Sequence, residues 1–171
     1  MKLGKDFFCR DVLVVAPELL GKIIVRKFSD DSLKKFTITE VEAYRGEDDL
    51  ACHASKGRTN RTEVMYWPGG FIYVYLIYGI HYLLNFVTAE IDKPQAVLIR
   101  GVDQIIGPGR VSKTLQIDKS LNKVSLFNSK NIWVEDANMN PLYTYAKRIG
   151  IEYSGEIWKN KPWRFILTKN L

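Results

Sequence analysis

Residues 38 to 44 read Ile-Thr-Glu-Val-Glu-Ala-Tyr, an alternating run that places carboxylates on a strand. Further on comes Tyr73-Val74-Tyr75-Leu76-Ile77-Tyr78-Gly79, charge-free and studded with tyrosines. A carboxylate can orient or deprotonate a water. Tyrosine rings can hold a flat base by its faces. A basic chain carrying both has the parts for chemistry on a nucleobase. Each feature also has a plainer reading. Alternating carboxylates occur on solvated strand faces, and tyrosines commonly line core strands with their hydroxyls at the edge. Glu40, two residues before Glu42 on the same face, is a like charge that could raise the Glu42 pKa.

The elements that must position these residues are mostly strands. Ile23 to Phe28 reads as one, and Phe36 to Tyr44 as another, with Ile38, Glu40, Glu42 and Tyr44 on one face. Pro17 fits the first position of a short helix ended by Gly21. Residues 45 to 62 form a polar loop, acidic at Glu47-Asp48-Asp49 and basic at Lys56, Arg58 and Arg61. Phe71 to Ile77 is a buried strand with Tyr73, Tyr75 and Ile77 on one face, and Gly79 permits a tight reversal into His81 to Val87. Ala96 to Val102 is a further strand. Pro108 opens a short helix, strands follow near Ile132 and Ile149, and the last runs from Trp163 to Leu167. Strands joined by short turns, without regular helical crossovers, predict an α+β fold. It would be a single domain over residues 1–171, built on a curved, mostly antiparallel sheet with short flanking helices.

Composition narrows the class. The chain has 171 residues, a net charge of +6 and 46% apolar residues, ordinary for one globular domain with a moderate bias toward polyanions. Two cysteines make no disulfide framework and fit a reducing compartment, the cytoplasm or a nucleus. The uncharged stretch 71 to 87 is short for a membrane span and carries four tyrosines, so no membrane partner is expected. Cys9, Cys52, His53 and His81 lack the paired short spacings of zinc sites, so no metal is expected. No dinucleotide or phosphate-loop fingerprint appears, and no cofactor is expected. A zinc base deaminase would need a Pro-Cys-x-x-Cys half that is missing here.

Glu42-Ala43-Tyr44, His53, the Tyr73–Gly79 run, Asn85 and Arg100 together resemble the alkyladenine (3-methyladenine) DNA glycosylases of the mammalian type. The resemblance continues through Gly107-Pro108-Gly109, Ile132-Trp133-Val134, Arg148-Ile149-Gly150 and Pro162-Trp163-Arg164-Phe165, and so spans nearly the whole chain. It implies a monomer that acts on double-stranded DNA containing damaged purines in base excision repair. Such an enzyme flips the base out and hydrolyses its N-glycosidic bond to leave an abasic site. Glu42 then matches the general base that activates water, and Arg100 a residue near the sugar-phosphate that helps place it. Tyr44 and Tyr75 match a sandwich around the extruded base, and Tyr78 the wedge that fills the vacated stack. His53 matches a base-pocket histidine, Asn85 the residue that excludes guanine through its exocyclic amine, and Ile149 a backbone position close to the base. No lysine matches a Schiff-base role.

The basic loop 55 to 62, with Arg58 and Arg61, is expected to contact DNA phosphates, as is the stretch 147 to 171. One departure stands out. Only six residues separate Arg100 from Gly107, where relatives usually carry a longer segment. Two rival readings remain open on residues alone. One is a non-catalytic RNA- or single-strand-binding module with aromatic stacking strands. The other is a protein-interaction domain with the tyrosines in its interface.

Overall fold

The computed structural model describes residues 1–168; the end of the basic stretch, with Lys169, lies outside them. Two short helices, α1 (Lys5–Phe8) and α2 (Val12–Leu19), lead into β1 (Ile23–Lys27) and the long β2 (Leu33–Arg45). After a loop come the hairpin β3 (Ile72–Ile77) and β4 (His81–Val87), then β5 (Gln95–Val102), the two-residue β6 (Ile105–Ile106) and α3 (Pro108–Leu115). β7 (Ile132–Glu135), β8 (Tyr143–Ala146), α4 (Gly155–Lys159) and β9 (Arg164–Leu167) complete the order. The strands form one antiparallel sheet in the order β3-β4-β5-β2-β1-β7, with β6 on β5 and β9 bridging β2 to β8. This is the α+β fold expected from the strand spacing. No helix among the described residues is long and apolar enough to cross a membrane, and the uncharged stretch 71 to 87 folds as the β3–β4 hairpin.

One face of the sheet carries the main core. Ile72, Val74, Leu84, Phe86, Val97 and Ile99 are buried there. Helix α2 covers them with Val12, Val15, Ala16 and Leu19, whose spacing puts all four on one side of the helix. Each large apolar side chain buried in this way stabilises by about 1.5–3 kcal/mol. The helix starts earlier than Pro17. Asp11 caps it, accepting from the Leu13 amide at 2.9 Å, and Pro17 lies inside its last turn. The N-cap decides the start because Asp11 satisfies a donor that the first turn would otherwise leave open.

β2 also corrects an expectation. Phe36 and Ile38 face the main core, yet so do Val41 and Ala43. The register with β5 shifts on either side of Glu40, so a bulge there swaps the faces. Ile38 therefore does not share a face with Glu42. Glu40, Glu42 and Tyr44 lie on the side away from the main core, because an extra residue reverses the alternation. A second difference lies near Ile149, where a loop stands in place of a strand. The pairing strand is β8, and Gly150, at φ +74°, turns the chain after it.

The second face of β2–β5 is covered by residues 46 to 67. This segment is less polar inside than its charges indicate. Cys52, Ala54, Val64 and Met65 pack with Tyr73, Val87 and Ala96 into a smaller cluster. The short segment after Arg100 is a tight β5–β6 hairpin that returns directly to α3, with the Gly107 amide donating to the Arg100 carbonyl at 2.8 Å.

The bulge needs a glycine opposite it. A Cβ on Gly101 would sit 2.8 Å from Thr39 Oγ1, 3.0 Å from Glu40 Cβ and 3.3 Å from the Glu40 amide. Gly101→Ala is therefore expected to strain the bulge and cost about 1–3 kcal/mol of stability, read as a lower urea midpoint. An unchanged midpoint would show that the bulge does not depend on this close approach.

Candidate active site

The face switch aims a set of polar and aromatic side chains at one cavity of about 530 Å³. Tyr44 from β2, Tyr73 and Tyr75 from β3, Asn85 from β4, and Leu98 and Arg100 from β5 line it. The covering segment adds His53, Arg61 and Met65, and the loop after β8 adds Ile149 to Ile151. The size falls within the roughly 300–1,000 Å³ of small-molecule sites.

Glu42 lies beside this cavity and is fully buried. Its Oε1 accepts from the Ile149 amide at 2.7 Å, and its Oε2 accepts from the Tyr44 hydroxyl at 2.8 Å. Arg100 Nε stands 3.6 Å from Oε1. Burial pushes the Glu42 pKa up, while Arg100, the Ile149 amide and the Tyr44 hydroxyl pull it back down, and the net direction is upward. The cause is therefore burial rather than the like charge of Glu40. Glu40 is taken up by Arg100 Nε at 3.2 Å and Arg164 Nη1 at 3.1 Å. The result is a carboxylate with an ordered set of donors and oxygen lone pairs to spare, beside an aromatic slot. It can orient a water and accept its proton.

The wall residues are tied to one another. His53 Nδ1 lies 2.8 Å from the Tyr73 hydroxyl, and the imidazole meets Tyr75 edge-on with centroids 4.5 Å apart. Burial, with Arg61 and Lys56 nearby, lowers the His53 pKa to about 4, so the ring is neutral near pH 7. The Arg61 guanidinium lies 5.5 Å from the Tyr75 ring centre. The Asn85 side-chain amide donates to the carbonyls of Tyr73 and Leu83, both at 3.3 Å. Tyr78 sits at the tip of the β3–β4 hairpin, 86% exposed, yet it still lines the cavity mouth. It holds φ +52° beside Gly79 at +64°, with the Ile80 amide donating to the Ile77 carbonyl, in a tight three-residue reversal. A tyrosine in that left-handed region costs about 1–2 kcal/mol.

Glu42, Tyr44, His53, Tyr75, Tyr78, Asn85, Arg100 and Ile149 thus all meet at this one cavity or at the carboxylate beside it. Arg61 joins them at its wall. Arg58 does not, because its guanidinium is forked onto Glu63 and also reaches Asp92. Three contributors carry no role on sequence grounds alone. Tyr73 orients His53, and its position on the Tyr75 side of the strand was the available signal. Asp49 and Arg148 form a fully buried ion pair behind Tyr44, with oxygen–nitrogen distances of 2.6 and 2.9 Å. Nothing in an acidic loop marks one aspartate as buried. Among the described residues, no three His, Cys, Asp or Glu side chains gather as a metal site, and both cysteines are free.

Comparison with known proteins points the same way. The family model described as methylpurine-DNA glycosylase matches residues 6–171. A Natranaerobius thermophilus protein, provisionally named 3-methyladenine DNA glycosylase, is 41% identical over 194 aligned residues, covering 99% of this chain and 97% of its own. Proteins of the same provisional name from Rickettsia felis and Borrelia garinii subsp. bavariensis are 43% and 42% identical, covering 97% and 98% of this chain. With the match spanning residues 6–171 and so the whole of the cavity, the chain belongs to the methylpurine-DNA glycosylase family.

Proposed function

We propose that this DNA glycosylase hydrolyses the N-glycosidic bond of an extruded alkylated purine, with Glu42 as the general base. The observation that carries the reading is a buried carboxylate, held by fixed donors, at the side of a tyrosine-walled cavity. The base enters between Tyr44 and Tyr75, each stacking contact contributing about 1–3 kcal/mol. Water oxygen bonds to C1′ of the sugar, its proton passes to Glu42, and the bonding electrons of the C1′–N bond leave with the purine. The products are a free base and an abasic site. The transition state is oxocarbenium-like, so the negative charge of Glu42 also stabilises the developing cation. Arg100, paired mainly with Glu40, steadies the carboxylate without neutralising it outright.

No lysine is among the described residues lining the cavity, which supports direct hydrolysis over a Schiff-base route. Neutral His53, fixed by Tyr73, offers one defined hydrogen-bonding edge to the base. The Asn85 side chain, buried in the wall, sets the shape that rejects guanine. Ile149 brings its backbone to the slot, and Arg61, with Lys147, Lys159 and Lys161 of the C-terminal stretch, supplies phosphate contacts. Membership of the family supports DNA as the substrate, and the enzyme acts on the duplex as a monomer in this reading. The relatives are bacterial, and the corresponding compartment is the cytoplasm with its nucleoid.

Tyr78 is the wedge. An exposed ring held in a strained turn, beside Ile80 at 71% exposure, has no packing role that would explain its cost. Insertion into the duplex where the base has left would offset that strain.

Glu42→Gln is expected to retain fold and lesion binding while single-turnover base release falls by roughly 10²–10⁴-fold. Release at the wild-type rate would remove Glu42 from the mechanism. Tyr78→Ala should weaken binding to a lesion-bearing duplex more than to the same lesion in single-stranded DNA, because only the duplex has a stack to fill. Equal losses on the two substrates would end the wedge assignment.

A further inference from the structure

We propose that the Tyr44 hydroxyl is a positioning group for Glu42, so that the residue walling the base slot also sets the base that activates water. The inference rests on Glu42 being that base. The two carboxylate oxygens have one close donor each, the Ile149 amide on Oε1 and the Tyr44 hydroxyl on Oε2. Two donors on opposite oxygens fix the plane of the carboxylate and leave the remaining lone pairs for water. Among the described residues, the Tyr44 hydroxyl is the one side-chain group within hydrogen-bond distance of Glu42, since Arg100 stands off at 3.6 Å and bonds to Glu40.

The Tyr44 ring has little freedom to withdraw. The Arg148 guanidinium lies 4.9 Å from its centre, and Asp49 locks that guanidinium in place. A base stacked on this ring therefore presses on the same side chain that holds the carboxylate. Slot occupancy and the placement of the general base are mechanically linked through one residue.

The other charged and titratable groups facing Glu42 come from every element around it. They are Arg100 on β5, Arg148 before Ile149, Tyr75 on β3, Tyr153 after the loop, and Glu40, itself paired to Arg100 and Arg164. Burial raises the Glu42 pKa, and the Tyr44 donor opposes that rise. A general base must be deprotonated, so excision declines as pH falls through a value above the ordinary glutamate range. Removing the donor favours the protonated form and moves that decline to higher pH.

The test is single-turnover release from a duplex carrying one 3-methyladenine, followed across pH for wild type, Tyr44→Phe and Glu42→Gln. Tyr44→Phe keeps the stacking ring and is expected to keep lesion binding. Its acid limb should move up by about one pH unit, giving a roughly tenfold loss on the acidic side that shrinks as pH rises. Replacing Tyr44 with 2,3-difluorotyrosine, a stronger donor of the same shape, should move the limb the opposite way. Limbs that coincide with wild type in both variants would overturn the proposal, as would a Tyr44→Phe defect confined to binding. Should Glu42→Gln release base at the wild-type rate, the general-base reading itself falls, whatever Tyr44→Phe does.

Discussion

The site depends on one buried ion pair. Asp49 and Arg148 have no exposed side-chain surface and meet through two charge-assisted hydrogen bonds. Withdrawing both from water is costly, and the cost is met only because nearly every remaining polar atom is also engaged. Arg148 Nη1 donates to the Ala43 carbonyl and Nη2 to that of Trp158, while Asp49 accepts from the amides of Arg45 and Ala51. Among the described residues, Arg148 Nε alone in the pair is left without a partner. The pair thus joins β2, the segment covering the second sheet face, and the loop after β8. Its guanidinium lies between the Tyr44 and Trp163 rings, and the next residue gives the amide that holds Glu42. One wall of the slot and the proposed general base are set by the same contact.

That arrangement explains why two glutamates on one strand face have different fates. Glu40 sits between two arginines and behaves as a structural counter-charge. Glu42, one step further along the face, has no exposed surface, and its closest donors are an amide and a phenol rather than a guanidinium. A fully paired carboxylate would be too weak a base, and an unpartnered one would not ionise. Glu42 is placed between these limits by burial on one side and neutral donors on the other. Neutral His53 and the aromatic rings make up most of the slot's polar wall, with Arg61 and Arg100 its charged members.

Much of this was legible in the residues, for a physical reason. A half-buried strand advertises its faces by alternation, so Tyr73, Tyr75 and Ile77 could be assigned to one side before any coordinates, and they do share the cavity. The bulge at Glu40 left no such mark. A single extra residue reverses the faces of β2 without changing composition, and the close approach of Gly101 that permits it is a tertiary fact. Ile149 looked like a strand because β-branched residues flank Gly150, whereas the chain there turns so that Arg148 points inward and the next amide reaches Glu42. Arg58, expected at the DNA phosphates, also pairs with Glu63 and Asp92, partners that only the fold brings to it. Asp49 was hidden in an acidic loop for the same reason, since its partner lies 99 residues away in sequence.

The most direct test of this account replaces the buried pair by apolar residues of similar size, Asp49→Leu with Arg148→Met, and follows both stability and single-turnover excision. Removing both charges together leaves no unpaired ion, so the fold is expected to survive, less stable by the hydrogen bonds that the pair makes to the Arg45 and Ala51 amides and the Ala43 and Trp158 carbonyls. The account predicts that excision nonetheless falls at least tenfold, because Tyr44 and the Ile149 amide lose the anchor that places Glu42. A doubly substituted protein that folds and releases base at the wild-type rate would contradict it, and would mean that the carboxylate is held without the pair.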